Sequence, residues 1–165
     1  MKTVTKPLCP KLLLMVAMLG VLAFASCKKE GVQAITSEEA AEVISQSVTD
    51  EDSGAITSLE SEASGSYNGT DSAEFVINDS VFISSGKVVS TLRRKLTFTR
   101  ETTFRALKVV VNRAHSMIVS GNLEITIQGT NSEGAAFYYT GILTFHGNNN
   151  GTLVLQDGQT FKLRW

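Results

Sequence analysis

The sequence predicts a mainly β protein, built as an antiparallel sandwich or as a curved sheet or meander of about seven strands, with a short helix before it. From residue 73 onward, apolar and polar residues alternate: Leu123, Ile125 and Ile127, for example, are separated by single polar residues. This period of two is typical of strands with one buried face. Before residue 73, one segment repeats apolar residues at helical spacing, and no long helix separates the later strands.

The first 26 residues predict a secretory signal peptide. Lys2, Lys6 and Lys11 give a positive start, and an uncharged apolar run of 14 residues follows over positions 12–25. Because a membrane-spanning helix needs about 20 residues, we expect this segment to be cleaved.

Cys27 follows the signal directly, after Phe24, Ala25 and Ser26. Small residues before a cysteine resemble the lipobox of bacterial lipoproteins, although Phe24 stands where that motif usually has Leu. The resemblance implies that Cys27 carries the lipid, and Lys28 after it implies the cell outer membrane. Ordinary signal peptidase also fits the site at positions 23–25, and its cleavage would release a secreted protein with a free thiol.

Charge divides the mature chain into two parts. Residues 28–74 hold 11 acidic and two basic residues, whereas residues 75–165 hold 10 basic and five acidic ones. We therefore expect a lipidated acidic tether over residues 27–72 and an antiparallel β domain over residues 73–165. No cysteine follows Cys27, so a hydrophobic core, and no internal disulfide, must stabilise the fold.

The tether contains one clear helix signal. Thr36 and Glu39 have the spacing of a capping box, and apolar residues recur at helical spacing up to Val48. The helix is predicted over about residues 36–48, and a helix this short must dock its apolar stripe on another surface. A second short helix is expected over residues 56–63, followed by a loop or linker over residues 64–72.

Four strands are predicted upstream of a C-terminal three-stranded meander: Phe75–Ile83, Lys87–Thr99, Phe104–Asn112 and Ser116–Gln128. In the last hairpin, a three-residue loop over residues 156–158 keeps the apolar side chains on one face, because it pairs Leu153 with Phe161. This loop requires a left-handed backbone conformation at Gly158.

The preceding hairpin follows the same reasoning. A loop of Asn148, Asn149 and Asn150 would pair Phe145 with Leu153 and Leu143 with Leu155, which keeps apolar side chains on one face.

The two ends of the mature chain resemble lipoproteins of the Bacteroidota. The motif FASC followed by KKE, the capped EEAAEVI helix and the closing pattern of TFxGN, an apolar strand, DG and TFxL carry this resemblance. It implies a helix-plus-β envelope protein, and it implies no activity.

A basic segment is the main candidate binding surface. Its candidate anion-binding residues are Arg93, Arg94, Lys95, Arg100 and Arg105. One interpretation is an anionic partner such as lipopolysaccharide or an acidic glycan. The alternative is a solvated sheet edge, where Lys and Arg block unwanted pairing, partnered by the acidic part of the same chain. Nucleic acid is not expected, because the chain is exported and lacks an RNA-binding aromatic pattern.

No motif predicts catalysis, a metal site or a cofactor. His115 and His146 have no second ligand at zinc-site spacing, and the sequence holds no G-x-S-x-G motif. Glu60 and Glu62 could be imagined as a glycosidase pair, but they are expected in a polar linker and not on a strand that lines a cleft.

Two further surface features remain open. Ser72 and Ser80 lie in Asp-Ser-aliphatic triplets that resemble O-glycosylation sites, although the same residues are common in turns. Of the aromatic residues that could stack on a sugar, alternation assigns Tyr139 and Trp165 to the core and leaves Tyr67 and Tyr138.

The sequence thus predicts an outer-membrane lipoprotein that is a non-catalytic binding or accessory module for an anionic envelope component. The alternative is a structural or assembly lipoprotein that binds another envelope protein, for example by sheet-edge pairing.

Overall fold

The computed structural model describes residues 35–65, 67–70, 72–93 and 96–165. Two helices precede seven strands. They are α1 (Ser37–Thr49), α2 (Ala55–Ser64), β1 (Glu74–Ile77), β2 (Val81–Val89), β3 (Thr97–Asn112), β4 (Met117–Asn131), β5 (Ala136–Gly147), β6 (Asn150–Leu155) and β7 (Thr160–Arg164).

The predicted capping box begins α1. The Thr36 hydroxyl accepts a hydrogen bond from the Glu39 backbone N–H at 3.3 Å, and the Glu39 carboxylate accepts one from the Thr36 N–H at 2.8 Å. Asp50 ends the helix, and its carboxylate accepts bonds from the backbone N–H groups of Asp52 and Ser53. The bonds of Thr36 and Glu39 satisfy N–H groups that a helix start leaves without partners, and those of Asp50 satisfy N–H groups in the turn between the helices.

All seven strands form one antiparallel open sheet, so the single sheet and not the sandwich is the architecture that occurs. The order is β1-β3-β4-β5-β6-β7, and β2 also pairs with β3. β1 lies beside the C-terminal part of β3, while β2 lies beside its N-terminal part. One edge of the sheet is therefore formed by β1 and β2, and the other is formed by β7.

Both helices pack on one face of the sheet, which we call the covered face. Val43 and Ile44 of α1 and Leu59 of α2 are fully buried in the same core as Phe104 and Ile125 of the sheet. The boundary expected at residue 73 therefore separates helices from strands along the chain, but the two share one core. The opposite face carries the outward side chains of the strands, and we call it the open face.

Three of the four predicted upstream strands differ clearly from the observed ones, and the strand predicted over residues 104–112 begins seven residues earlier, at Thr97. The predicted strand over residues 87–99 contains a turn, because the Ser90 hydroxyl accepts a bond from the Arg93 N–H and the Ser90 N–H donates to Leu96. The predicted strand over residues 75–83 is interrupted at Asp79, which adopts a φ of 59° and donates its N–H to Ala106.

The C-terminal meander is confirmed, with one register confirmed and one wrong. Leu153 pairs with Phe161, and Gly158 has a φ of 84°, as expected. In the preceding hairpin, however, Leu153 pairs with Leu143 and not with Phe145.

The cause of that difference is the turn chemistry. Asn148 and Asn149 both adopt positive φ, at 50° and 54°, which makes a two-residue turn of the type that matches strand twist. Gly147, with a φ of 74°, adds an irregularity in the ladder. The pairing moves by two residues, so every side chain keeps its face and the burial pattern does not distinguish the two registers.

Candidate functional site

Arg100 lies at the centre of a buried polar cluster on the covered face. Its side chain is 2% exposed, and its guanidinium donates to the Ser84 carbonyl at 3.1 Å and to the Ser84 hydroxyl at 2.9 Å. The Asp50 carboxylate lies 3.7 Å from the same guanidinium. Burial lowers the pKa of Arg100, and the charge of Asp50 acts in the opposite direction.

This cluster joins the turn between the helices to the sheet. The Thr102 hydroxyl donates to the Ser47 hydroxyl of α1 at 3.2 Å, and the hydroxyls of Ser53 and Ser84 are 3.2 Å apart. Because the Arg100 side chain is enclosed, it is inaccessible to an external anion in this conformation. Its role here is to hold the helical layer on β2 and β3.

A second contact joins α1 to the loop between β2 and β3. The Arg93 guanidinium lies 2.6 Å from the buried Glu39 carboxylate. Glu42, one turn further along α1, accepts bonds from the Ser90 hydroxyl at 2.9 Å and from the Thr91 backbone N–H. Partial burial acts to raise the pKa of Glu42, but the hydrogen bonds from Thr91, Ser90 and Leu92 outweigh it and lower the pKa.

The three predicted anion-binding residues that the structure describes do not converge on one surface. Arg105 points to the open face, where its guanidinium lies 2.8 Å from Asp79 and 3.8 Å from Glu124. Arg100 points to the covered face, and Arg93 lies in the β2–β3 loop. Arg94 and Lys95, like the predicted lipidation site Cys27, lie outside the described residues.

The other predicted residues are dispersed. Ser72 is exposed, and the Ser80 hydroxyl donates to Glu62 at 2.7 Å. Glu60 and Glu62 lie on α2 and not in a linker, and burial raises the pKa of Glu60. His146 contacts the Thr152 hydroxyl at 2.8 Å on the open face. His115 is exposed in the turn after β3.

Three of the four aromatic residues considered for sugar stacking already have partners within the protein. The Tyr139 hydroxyl donates to the Ile35 carbonyl at 2.6 Å, and Trp165 packs edge-on against Phe145. The Arg113 guanidinium lies 5.9 Å from the ring centre of Tyr67. Tyr138, on the open face, is 57% exposed.

Tyr138 borders an open basin of about 550 Å³ on the open face, which we call the Tyr138 basin. Its polar rim is formed by the side chains of Ser85, Thr99, Glu101, Gln128, Thr130 and Tyr138. Sequence reasoning did not find this site, because its members come from four different strands. The signal that could have found it is the register, which sets Glu101, Gln128 and Tyr138 in one line across the sheet.

The edge formed by β2 is the other distinctive surface. The Ser80 carbonyl accepts from Ala106, and the Ser90 N–H donates to Leu96, so even-numbered residues direct their backbone groups toward β3. Because this direction alternates along a strand, the odd-numbered residues direct theirs outward. Three of them, Val81, Ile83 and Val89, are also 56%, 65% and 59% exposed.

The edge formed by β7 has a different character. The Gln159 carbonyl accepts from Leu155, and the Trp165 N–H donates to Asn149, so the residues that face outward are Thr160, Lys162 and Arg164. β7 has five residues against the nine of β2. A short edge that carries Lys and Arg is typical of a protected edge, whereas a long edge of β-branched apolar residues is typical of a pairing surface.

Neither described helix has the length and apolar character needed to cross a membrane. Among the described residues, no group of three or more His, Cys, Asp or Glu side chains is placed to hold a metal ion. The chain matches no protein-family model, no curated protein and no solved structure in the comparisons made.

Proposed function

We propose that this protein is a lipid-anchored envelope protein that acts without catalysis, by binding an extended segment of another envelope protein along β2. The observation that carries the proposal is the edge of β2, where exposed Val81, Ile83 and Val89 coincide with outward backbone N–H and C=O groups. Strand addition uses these two features together, because the backbone bonds give affinity and the side-chain pockets give specificity.

The chemistry of the partner segment follows from the edge. Lys87 is the one charged residue on the outward-facing positions of β2, and the other side chains there are apolar or a serine. A matching segment would be extended, with β-branched or other apolar residues at alternate positions and an acidic residue near Lys87. The contrast with the charged β7 edge supports β2 as the paired edge.

Proline substitution separates binding from folding. Ile83→Pro removes an outward N–H without removing a bond to β3, and prolines are tolerated at such edge positions. The matched control is Lys162→Pro, which removes an outward N–H from the β7 edge. Both variants are expected to keep near wild-type thermal unfolding.

The assay places a photo-crosslinking residue at Val81 of the full-length protein in intact cells. We expect one discrete crosslinked protein, retained with Lys162→Pro and lost with Ile83→Pro. Equal crosslinking in both proline variants would contradict strand addition at β2. A crosslinked product made of two copies of this chain would instead indicate that β2 binds β2 of a second copy. Sedimentation of the purified protein would check this self-association.

The lipid anchor belongs to the same proposal and rests on the lipobox-like residues before Cys27. Mass spectrometry of the native N-terminal peptide should find acyl chains on Cys27, and Cys27→Ala should release the protein from the membrane fraction. A native N-terminus that begins at Ser26 and carries no acyl chain would contradict the proposed attachment to the membrane.

A second candidate is an anionic envelope component bound by the loop between β2 and β3. The observation that favours it is Leu92, which is 59% exposed beside three consecutive basic residues, and Arg93 keeps 35% side-chain exposure while paired with Glu39. Arg94→Gln with Lys95→Gln leaves the Arg93–Glu39 pair intact. Lys108→Gln with Arg164→Gln is the control of equal charge.

In this test, the Cys27→Ala protein is mixed with vesicles that contain anionic phospholipid or lipid A. Vesicle binding that weakens with salt and with the Arg94 and Lys95 changes, and not with the control, would support this candidate. Equal effects of the two double variants would remove it.

A further inference from the structure

We propose that the Tyr138 basin is a binding site for a neutral oligosaccharide. The site lies on the open face and shares no side chain of the proposed partner contact except Ser85, at the rim. The inference therefore stands independently of strand addition at β2.

The basin is organised along one line across the sheet. Ser85 of β2 pairs with Glu101 of β3, Glu101 pairs with Gln128 of β4, and Gln128 pairs with Tyr138 of β5. Neighbouring strands lie about 4.8 Å apart, so this line is about 14 Å long. The residues form an elongated polar track that ends on an aromatic ring, a shape that suits an extended chain of sugar rings.

Tyr138 supplies the apolar contact that such a ligand needs. One face of a pyranose ring presents C–H groups, which pack on an aromatic side chain, while the phenol hydroxyl remains able to form hydrogen bonds. Tyr138 is 57% exposed and lines the basin directly. Its neighbour Tyr139 lies on the covered face, where its hydroxyl is bound to Ile35.

The polar groups of the track are partly fixed before a ligand arrives. Gln128 donates from its amide nitrogen to Glu101 at 3.0 Å, which orients both side chains. The second carboxylate oxygen of Glu101 and the amide oxygen of Gln128 can then accept, and the hydroxyls of Thr99 and Thr130 can both donate and accept. Sugar hydroxyls have the same dual capacity, and pre-oriented partners reduce the entropy lost on binding.

Charge selects the class of oligosaccharide. Glu101 lies in the middle of the track, whereas the guanidinium of Arg100, the adjacent residue of β3, is buried on the covered face beside Ser84. Lys87, which pairs with Thr99 on the open face, is not among the residues that line the basin. The carboxylate of Glu101 is therefore the charged group at the centre of the track, and it repels uronic acids, sulfates and phosphates. The donor and acceptor groups that remain favour a neutral ligand.

The test titrates the purified protein with neutral hexasaccharides of different linkage, namely maltohexaose, cellohexaose, laminarihexaose, xylohexaose and chitohexaose. Amide NMR shifts report which residues are affected, and calorimetry gives the affinity. We expect at least one of them to shift the signals of Glu101, Gln128 and Tyr138 together, and Tyr138→Ala to weaken its binding about tenfold or more.

Three control variants distinguish the effects of ring stacking and of charge on binding from an effect on folding. Tyr138→Phe keeps the ring and should retain most of the affinity, and Thr144→Ala, on the open face outside the basin, should bind like the wild type. Glu101→Gln should allow an acidic oligosaccharide such as hexagalacturonic acid to bind better than it does to the wild type. Unchanged amide spectra with all five neutral sugars, equal binding by wild type and Tyr138→Ala, or tighter wild-type binding of the acidic sugar would each overturn the proposal.

Discussion

The two faces of the sheet place arginine side chains in opposite surroundings. Arg100 and Arg105, both on β3, show the difference. On the covered face, Arg100 is enclosed, bound to Ser84 and paired with Asp50 from the helical layer. On the open face, Arg105 is about half exposed and lies between two exposed carboxylates, those of Asp79 and Glu124. The first arginine joins two layers of the fold, whereas the second belongs to a solvated surface.

This contrast explains why the basic residues of β3 do not form one basic site. Alternation along β3 sends neighbouring residues to opposite faces, so charges that are close in sequence are far apart in their surroundings. Acidic residues from the first third of the chain then meet two of the arginines, Arg93 through Glu39 and Arg100 through Asp50. The open face keeps Arg105 between two carboxylates, whereas the polar track of the Tyr138 basin lies further along β3, around Glu101.

The largest expected difference between the faces comes from Phe104 and Thr103. Phe104 is fully buried in the shared core, so Phe104→Ala should lower the free energy of unfolding by about 3–5 kcal/mol. Thr103→Ala, one residue away on the open face, should change it by less than about 0.5 kcal/mol. Urea unfolding of both variants checks this, and equal losses would contradict the assignment of faces.

A smaller loss is expected from the ion pair on the covered face. Asp50→Asn keeps a side-chain oxygen for capping but leaves the buried Arg100 without its countercharge, which should cost about 1–3 kcal/mol because Asp50 is partly exposed. Asp52→Asn, an exposed change of equal charge in the same turn, serves as the control. A thermal unfolding curve that is the same for both variants would show that the pair contributes nothing.

The contact between α1 and the β2–β3 loop predicts a pH dependence. The pKa of Glu42 is lowered in the folded state, so its contribution is fully present above the unfolded value of about 4.3 and is lost as the pH falls through the folded pKa. Glu42→Gln should therefore cost about 1 kcal/mol at pH 7 and progressively less below pH ~4. Glu38→Gln, on the same helix, should show no such convergence in urea unfolding at pH 7 and pH 3.

The smallest effect is expected on the open face. Arg105→Gln removes two exposed ion pairs, which together should contribute less than about 1 kcal/mol and should be screened by salt. Unfolding in 0.05 M and 1 M sodium chloride measures this, with the wild type beside it. A loss as large as that of Asp50→Asn would remove the distinction between the faces.

The parts of the fold that follow from local chemistry were predictable. The capping box of Thr36 and Glu39, the two helices and the alternation in β4 through β7 depend on neighbours in the sequence. The turn at Ser90 was missed because Val88, Leu92 and Leu96 share the parity of one strand face and the segment between them contains no Gly or Pro. The β5–β6 register was wrong by two residues because such a shift leaves the pattern of buried faces unchanged.

The candidate sites were harder to predict, because each depends on contacts between distant segments. Nothing near Arg100 in the sequence indicates that Asp50 lies beside it. The Tyr138 basin brings together residues of β2 and β5, and the apolar edge at Ile83 is visible only when β2 is known to be outermost. Long-range pairing of this kind is a property of the topology.

The tie between the two ends of the folded chain has a consequence for the order of its assembly. The Ser37 hydroxyl bonds to Asp157, 120 residues later, and the Ile35 carbonyl bonds to the Tyr139 hydroxyl, 104 residues later. A chain that emerges with its amino end first can make the contacts of α1 with Ser90 and Thr102 well before these two bonds. Since so short a helix is marginal alone, we expect α1 to dock first on β2 and β3, and its amino-terminal turn to be fixed only when the final hairpin has appeared.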